Sequence, residues 1–456
     1  MGACHYSARP MAPDLRELHL ADLHERAAAA GVPGYRKLGR EELIEALDDA
    51  DTTAAVPPRR EAEAAEGDRA EADTDELEVV VEATALDDAQ TPVELGAAGP
   101  EGGDERGEPS PTDEVRGVLD QTRQGYGFLR LDGLAPSDGD VYISAAQVRR
   151  CELRPGDEVA GPARQPRRGE RHPALVHVDE VNGEEPVTEE RPDFDSLAPV
   201  LPERRIGLDR PDADLLARAV DLLTPLAFGQ RILVRAATRS GRTTLLRSLA
   251  RAAVAEGDEV RVIVALVDER PEEATAWREA LPVAEFAIAT ADFAAAEQVR
   301  VTALALERAR RLAEGGVDVV LICDSLSRLA FAAGDGAEVR RLFGSGRNLA
   351  GGGSLTVIAT VLSDAHDEGE ADRAVATTES ALLVLDPELA AAGVYPALRA
   401  AECRVSNEEA LRAPEELEAA RRLRSLLADL RSSDAAALLR ERIEATPSNA
   451  ALLADL

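Results

Sequence analysis

Lysine is all but missing from this chain. Lys37 is the only one in 456 residues, so 51 of the 52 basic residues are arginine. Where the chain needs a cation it has a planar, permanently charged fork, which does not substitute freely for a compact ammonium at a phosphate. Aromatic residues make up 3% of the chain, with seven Phe, five Tyr and one Trp, so any cluster of rings stands out. Cys4, Cys151, Cys323 and Cys403 lie far apart with no Cys-x-x-Cys pair. That spacing excludes a zinc ribbon or a disulfide framework and reads as reduced thiols. No apolar run reaches about 18 residues, so no membrane span or membrane partner is expected. The first residues carry no hydrophobic signal core, and a cytoplasmic protein is the expectation. Positive charge is short as well: 86 acidic residues give a net charge of −34. Such a chain repels phosphate at long range, which argues against nonspecific nucleic-acid binding but not against a local site.

The length implies about two or three domains. Residues 11–50 carry a helical pattern of Leu15, Leu18, Leu20 and Leu23, then Leu43, Ile44 and Leu47, and predict a small N-terminal helical domain. Residues 51–112 change character. Between 51 and 110, eighteen acidic residues stand against four basic ones, among scattered Pro and Gly, and the segment reads as a disordered acidic linker. Order resumes in 113–185, where runs at 116–120, 127–131, 140–144, 157–160 and 174–178 alternate with Gly/Pro turns and predict a five-stranded barrel. With eleven acidic and ten arginine residues between Glu114 and Val181, it is a relative basic island. Residues 194–430 alternate helical and strand patterns, with strands at 232–234, 261–267, 317–323, 354–360 and 381–385, and predict an α/β domain with a largely parallel sheet. The tail, 431–456, continues the amphipathic helix that begins at Pro414.

Within the α/β domain, GQRILVRAATRSGRTTLL (229–246) has the strand–loop–helix order of a phosphate loop. Backbone N–H groups of Thr238, Arg239, Ser240, Gly241, Arg242, Thr243 and Thr244 would converge on phosphate oxygens at a helix N-terminus, and the Thr243 hydroxyl would face Mg²⁺. Arg242 stands where this motif carries lysine. In so lysine-poor a chain that change reads in part as drift. Two further elements complete the pattern: VALVDERPEE, with Asp268, Glu269 and Arg270 at a strand end, and VDVVLICDSLSRLA, an apolar strand ending in Asp324. A carboxylate at the third strand's end can hold Mg²⁺ through water, and one on a neighbouring strand can orient or deprotonate an attacking water. In the barrel, QGYGFLR places Tyr126, Phe128 and Arg130 on one face, and Tyr142 can join them from the next strand. Three of the twelve Phe and Tyr fall there, which favours a stacking platform for single-stranded RNA over barrel core.

These motifs together resemble the bacterial transcription termination factor Rho family, hexameric ATP-dependent RNA translocases. The resemblance extends over GVLDQTRQGYGFLR, GDVYISAAQVRRCELRPGDEV, RRGERHPALVHVDEVNG, LVDERPEEAT, FGSGRNLAGGGSLTVIATVL and VYPAL, and so over nearly the whole chain. It implies a RecA-like P-loop ATPase domain preceded by an OB/cold-shock-like β-barrel and the small helical domain. It implies ATP and Mg²⁺ as cofactors, and single-stranded, pyrimidine-rich RNA gripped by Tyr126, Phe128, Arg130, Tyr142 and Glu170. His172 stands where the family has an aromatic residue. Glu269 matches the hydrolytic carboxylate, Arg270 a switch arginine, Asp324 the Mg²⁺-side aspartate, and Tyr395 the ring that stacks on adenine. The implied partners are RNA polymerase complexes and further copies in a homo-hexamer or mixed ring.

The departures fall on the moving parts. Arg239-Ser240-Gly241-Arg242-Thr243 replaces KAGKT. The segment FAAGDGAEVRR (331–341) is far shorter than the family's RNA-contacting loop, and the later FKGTG-like pore loop reads EGEADRAVATTES. Asp386-Pro387-Glu388 replaces a basic SRK, and the arginine finger aligns with Ser406, with Arg404 nearby but out of register. The expectation is a factor of this family with a weakened motor. The alternatives are a non-enzymatic RNA-binding paralogue that regulates termination or joins Rho rings, and a full enzyme using Arg242 and a displaced Arg404.

Overall fold

The computed structural model describes residues 112–186, 191–363 and 368–456, together with Ile44 and Leu47. The helical domain expected at 11–50 and the acidic linker at 51–112 fall outside the described residues, apart from those two positions and Thr112. The chain divides into a unit Met1–Glu101 and a unit Gly102–Leu456, and the elements that follow all belong to the second.

Strands β1 (Thr112–Gln121), β2 (Gly127–Arg130), β3 (Val141–Ile143), β4 (Glu158–Arg164) and β5 (Ala174–Leu175) form a barrel, with α1 (Ala145–Arg150) between β3 and β4. The order is β1-β2-β3-β5-β4, and β1 pairs back onto β4 from Thr112↔Arg164 to Val118↔Glu158, which closes it. The last predicted run is shortened to β5, and β5 and a short β6 (Glu180–Val181) pair with opposite ends of β4. Alternation decides what points inward. Leu119, Leu129, Val141, Ile143 and Val159 fill the core, while Phe128 and Tyr142 between them stay half-buried on the other face. Gly127 is required at the β1–β2 crossing, because a Cβ there would lie 2.6 Å from Leu119 Cδ1 and 2.8 Å from the Asp120 carbonyl oxygen.

The α/β domain opens with β7 (Pro199–Val200) and α2 (Leu215–Leu223). It continues as β8 (Arg231–Ala236), α3 (Arg242–Val254), β9 (Val260–Glu269), α4 (Pro271–Ala280), β10 (Glu285–Thr290), α5 (Ala295–Glu314) and β11 (Asp318–Asp324). Then come α6 (Leu326–Ala333), α7 (Ala337–Gly344), β12 (Arg347–Leu349), β13 (Ser354–Leu362), α8 (Glu368–Val375), β14 (Ala381–Val384), α9 (Pro387–Ala391) and β15 (Arg404–Val405). Strands β10-β9-β11-β13-β8-β14 run parallel in that order, with β15 antiparallel at the edge. Helices cover both faces, so the central strands read as unbroken apolar runs. All nine residues of β13 are buried. The five strands expected from the sequence are present. The sixth parallel strand, β10, is EFAIAT, in which Phe286, Ile288 and Thr290 alternate with alanines, and it is not among the expected strands.

The C-terminal helix expected from Pro414 is three helices: α10 (Pro414–Ala428), α11 (Ser432–Glu444) and α12 (Asn449–Ala454). The breaks fall at Asp429-Leu430-Arg431 and at Thr446-Pro447-Ser448, and Ser448 caps α12 through its side chain. Among the described residues no helix is long and apolar enough to cross a membrane. The barrel packs on α5 by charge as well as by shape. Arg308, buried on α5, places Nη2 2.9 Å from Glu158 of β4 and Nε 3.1 Å from Glu285 of β10. Arg154 reaches Glu314 at 2.8 Å, and the Leu134 N–H donates to the Phe286 carbonyl at 2.8 Å.

Candidate nucleotide site and nucleic-acid interface

The C-terminal ends of the parallel strands gather the predicted nucleotide residues, as an open α/β sheet does at its crevice. After β8 the chain turns through Thr238 and Arg239, both exposed, with Arg239 at φ +63°. Ser240 is buried and donates its hydroxyl to the Ala237 carbonyl at 2.7 Å. Gly241 (φ +93°) is the N-cap of α3 and makes no side-chain cap, so the first N–H groups of the helix remain open to a phosphate. Thr243 and Thr244 lie in the first turn.

Arg242 does not follow that direction. Its guanidinium lies across the strand ends: Nη2 is 3.0 Å from Glu269 Oε1 at the end of β9, and Nε is 3.1 Å from Asp324 Oδ1 at the end of β11. The Nε contact is an ion pair without hydrogen-bond alignment. Glu269 is gripped a second time by Arg328 of α6, at 2.9 Å from Oε2, and the Arg270 N–H also approaches that oxygen at 3.3 Å. The Thr360 hydroxyl donates to Asp324 Oδ1 at 2.9 Å. The carboxylate of Asp324 is 1% exposed. Burial pushes its pKa up, Arg242 pulls against that, and the neighbouring Glu269 charge adds to the rise. Arg270 is exposed at the N-cap of α4.

The arrangement fits a polyphosphate at the helix N-terminus. It sets a guanidinium against Asp324 where a divalent ion would lie: Arg242 and Thr360 both engage Oδ1, and a metal reaching the carboxylate would have to share it with that fixed positive charge. Arg328 was missed in the sequence. The available signal was its position four residues after Asp324, with Ser325 as N-cap, which turns its helix back over the strand ends. Tyr395 is half-exposed, and burial raises its pKa to about 12 with help from Asp214. Asp214 in turn accepts from Ser248 of α3 at 2.8 Å, so the ring stands on the α3 side of the sheet.

The departures also have structural form. Helix α6 ends at Gly334 (φ +76°), Asp335 accepts from the Ala337 N–H at 2.8 Å, and α7 begins at once. A three-residue turn thus stands at 334–336. Part of the second pore-loop region, 364–367, lies outside the described residues. Asp386-Pro387-Glu388 starts α9, with Asp386 accepting from Glu388 and Leu389 N–H groups as its N-cap. Arg404 pairs with Glu379 at 2.8 Å, and the Ser406 N–H donates to the Ser380 carbonyl.

On the barrel, the rings meet as predicted from their spacing. Phe128 and Tyr142 are direct cross-strand partners. Tyr126 lies 6.1 Å from Phe128 and 5.7 Å from Tyr142, centroid to centroid. His172 closes the group edge-on, 5.1 Å from Phe128. None of these rings belongs to the barrel core. Arg130 departs from the expectation of an exposed contact. It is 5% exposed, held by Asp120 and Asp140, and its guanidinium borders the Phe128 ring at 5.7 Å. Asp120 is also bound by Arg300 of α5 at 2.8 Å. Glu170 is likewise engaged: Arg164 and the Arg167 N–H hold its pKa down to about 2.

Residues 115–187 match the family model for the RNA-binding domain of Rho termination factor, and residues 217–343 match the nucleotide-binding domain of the ATP synthase alpha/beta family. The transcription termination factor Rho of Bacillus subtilis is 35% identical over 356 residues, which cover 74% of this chain and 83% of that protein. The chain belongs to the Rho family. The Chromobacterium violaceum Rho is also 35% identical, over 74% of this chain and 86% of its own length. The Streptomyces lividans Rho is 36% identical over 75% of this chain, which spans about half, 51%, of that longer relative. Among solved structures, a prototypical ATPase from the type III secretion system of pathogenic bacteria matches 56% of this chain and 78% of its own, at 23% identity and a TM-score of 0.45.

Proposed function

We propose that this Rho-family chain is a cytoplasmic RNA- and ATP-binding factor that acts on transcription termination with a weakened motor. Single-stranded, pyrimidine-rich RNA stacks on Tyr126, Phe128, Tyr142 and His172. Glu170 and Arg130 shape the rim of that face through Arg164 and the buried aspartates. The nucleotide's phosphates lie against Thr238–Thr244, and its base against Tyr395. Copies assemble as a hexamer or join a mixed ring with an intact Rho on the RNA polymerase complex.

The observation that carries the weakened motor is the Arg242 bridge. Glu269 would have to orient or deprotonate water, yet both its oxygens are engaged by Arg242, Arg328 and the Arg270 N–H. Three of its about four lone-pair sites are thereby taken, which leaves little room to receive a water proton. The three-residue turn after α6 and the pairing of Arg404 with Glu379 support the same reading. In related phosphoryl transfers, lacking an in-trans arginine costs about three to five orders of magnitude in rate. Steady-state ATP turnover with and without poly(C) tests the proposal. We expect slow turnover that RNA does not raise; vigorous RNA-dependent hydrolysis by the chain alone would overturn it. The same bridge favours a second reading, a non-enzymatic paralogue that lodges in rings of an intact Rho. Sedimentation of the chain alone and mixed with such a relative separates the two.

A further inference from the structure

The charges at the strand ends already balance. Glu269 and Asp324 contribute two negative charges, and Arg242 and Arg328 supply two positive ones at 2.9–3.1 Å. The Arg242 side chain is 12% exposed, and its carboxylate partners are 8% and 1% exposed. A planar fork can engage two carboxylates at once, whereas an ammonium is a compact point charge. A divalent ion arriving here must displace the guanidinium or sit beside it, and like charges in a poorly solvated site repel strongly. The first N–H groups of α3 stand apart from this cluster, with the Gly241 N-cap unblocked.

We propose that this site takes its nucleotide as the metal-free polyanion, with Arg242 serving as a built-in cation between Glu269 and Asp324. This rests on the reading of the loop as a nucleotide site and adds the chemical form of the ligand. By neutralising both carboxylates, Arg242 takes the place a metal would occupy at the strand ends, so nucleotide binding at the α3 N-terminus does not require a divalent ion. A lysine at 242 would keep the charge but release at least one carboxylate, and that carboxylate would become available to a metal.

The test is the affinity of the full chain for a fluorescent ATP analogue, read by anisotropy in excess Mg²⁺ and again in EDTA. The wild type is expected to bind no more tightly in Mg²⁺ than in EDTA, while Arg242→Lys gains about tenfold or more from Mg²⁺ (tenfold being about 1.4 kcal/mol). A wild-type affinity that rises about tenfold or more with Mg²⁺ overturns the inference and leaves the nucleotide reading standing. No binding in either buffer overturns both. A second measurement does not depend on how the lysine variant folds: titration of the wild-type chain with Mn²⁺ alone, followed by electron paramagnetic resonance. We expect no bound Mn²⁺ at ion concentrations that saturate typical ATPase sites, and a tight Mn²⁺ site lost on Asp324→Asn would overturn the inference.

Discussion

The barrel and the α/β domain contain the same device with opposite consequences. Each holds an arginine between two acidic side chains: Arg130 between Asp120 and Asp140, Arg242 between Glu269 and Asp324. In the barrel the pair of aspartates draws the arginine below the surface, and the aromatic rings beside it stay half-buried and accessible. In the α/β domain the two carboxylates are the residues that the chemistry would need, and the arginine closes on them. An arginine-rich, lysine-poor chain favours such bidentate clasps wherever two carboxylates converge. What matters for function is whether the clasp lies beside the ligand or in its path.

The largest expected effect tests whether Arg130 is framework or ligand contact. Removing one partner of a buried ion pair leaves uncompensated charge and costs about 3–5 kcal/mol. Arg130→Ala should therefore lower stability by about that much in guanidinium denaturation. Arg242→Ala should cost less, since Glu269 retains Arg328 and Asp324 retains Thr360. If Arg130→Ala were nearly neutral for stability yet abolished RNA binding, the two clasps would not be alike and Arg130 would return to the interface.

A middle-sized effect concerns the rings. Base–aromatic stacking is worth about 1–3 kcal/mol per base. Phe128→Ala or Tyr126→Ala should weaken binding of a cytidine-rich oligonucleotide by about 5- to 150-fold, measured by anisotropy, with affinity for the ATP analogue unchanged. Unchanged RNA affinity in both variants would mean that the rings only cap the barrel. A parallel loss of nucleotide affinity would mean that barrel and α/β domain are coupled, with Asp120–Arg300 the direct link from the ring face to α5.

Sequence made the strand-end residues legible because motifs sit at fixed offsets from apolar runs. Glu269 and Asp324 fall at the ends of β9 and β11, and the loop 236–243 ends β8, as their spacing required. The ring cluster was legible from the period of two and from the scarcity of aromatics. What could not be read was where long side chains go. Arg130 and Arg242 were placed on their ligands by position along the chain, but a guanidinium reaches several ångströms, and its choice depends on carboxylates brought in by distant strands. Strand β10 is hard to read for a different reason: its short alternation of Phe286, Ile288 and Thr290 is embedded in the alanine-rich stretch 284–296, whose helical propensity masks it. The break-up of the tail into three helices was signalled by Ser and Pro, which helical periodicity outweighed.

The smallest effect concerns Glu170, whose pair with Arg164 is the exposed counterpart of the two buried clasps. Arg164 and the Arg167 N–H favour its ionised form and hold its pKa at about 2. A carboxylate whose folded pKa lies below its unfolded value, about 4.3, adds stability that is fully present above the unfolded value. That stability drains away as the pH falls through about 2. The Glu170 side chain is 35% exposed, and exposed pairs contribute at most about 1 kcal/mol. The sharper readout is therefore the titration itself. In a carbon-detected NMR titration, Glu170 should turn over near pH 2 in the wild type, and Arg164→Ala should carry its midpoint back towards about 4.3. If Glu170 already titrated at the ordinary value, its carboxylate would not be clasped at all. It would then stand free at the rim of the ring face, where a nucleobase amino group could claim it.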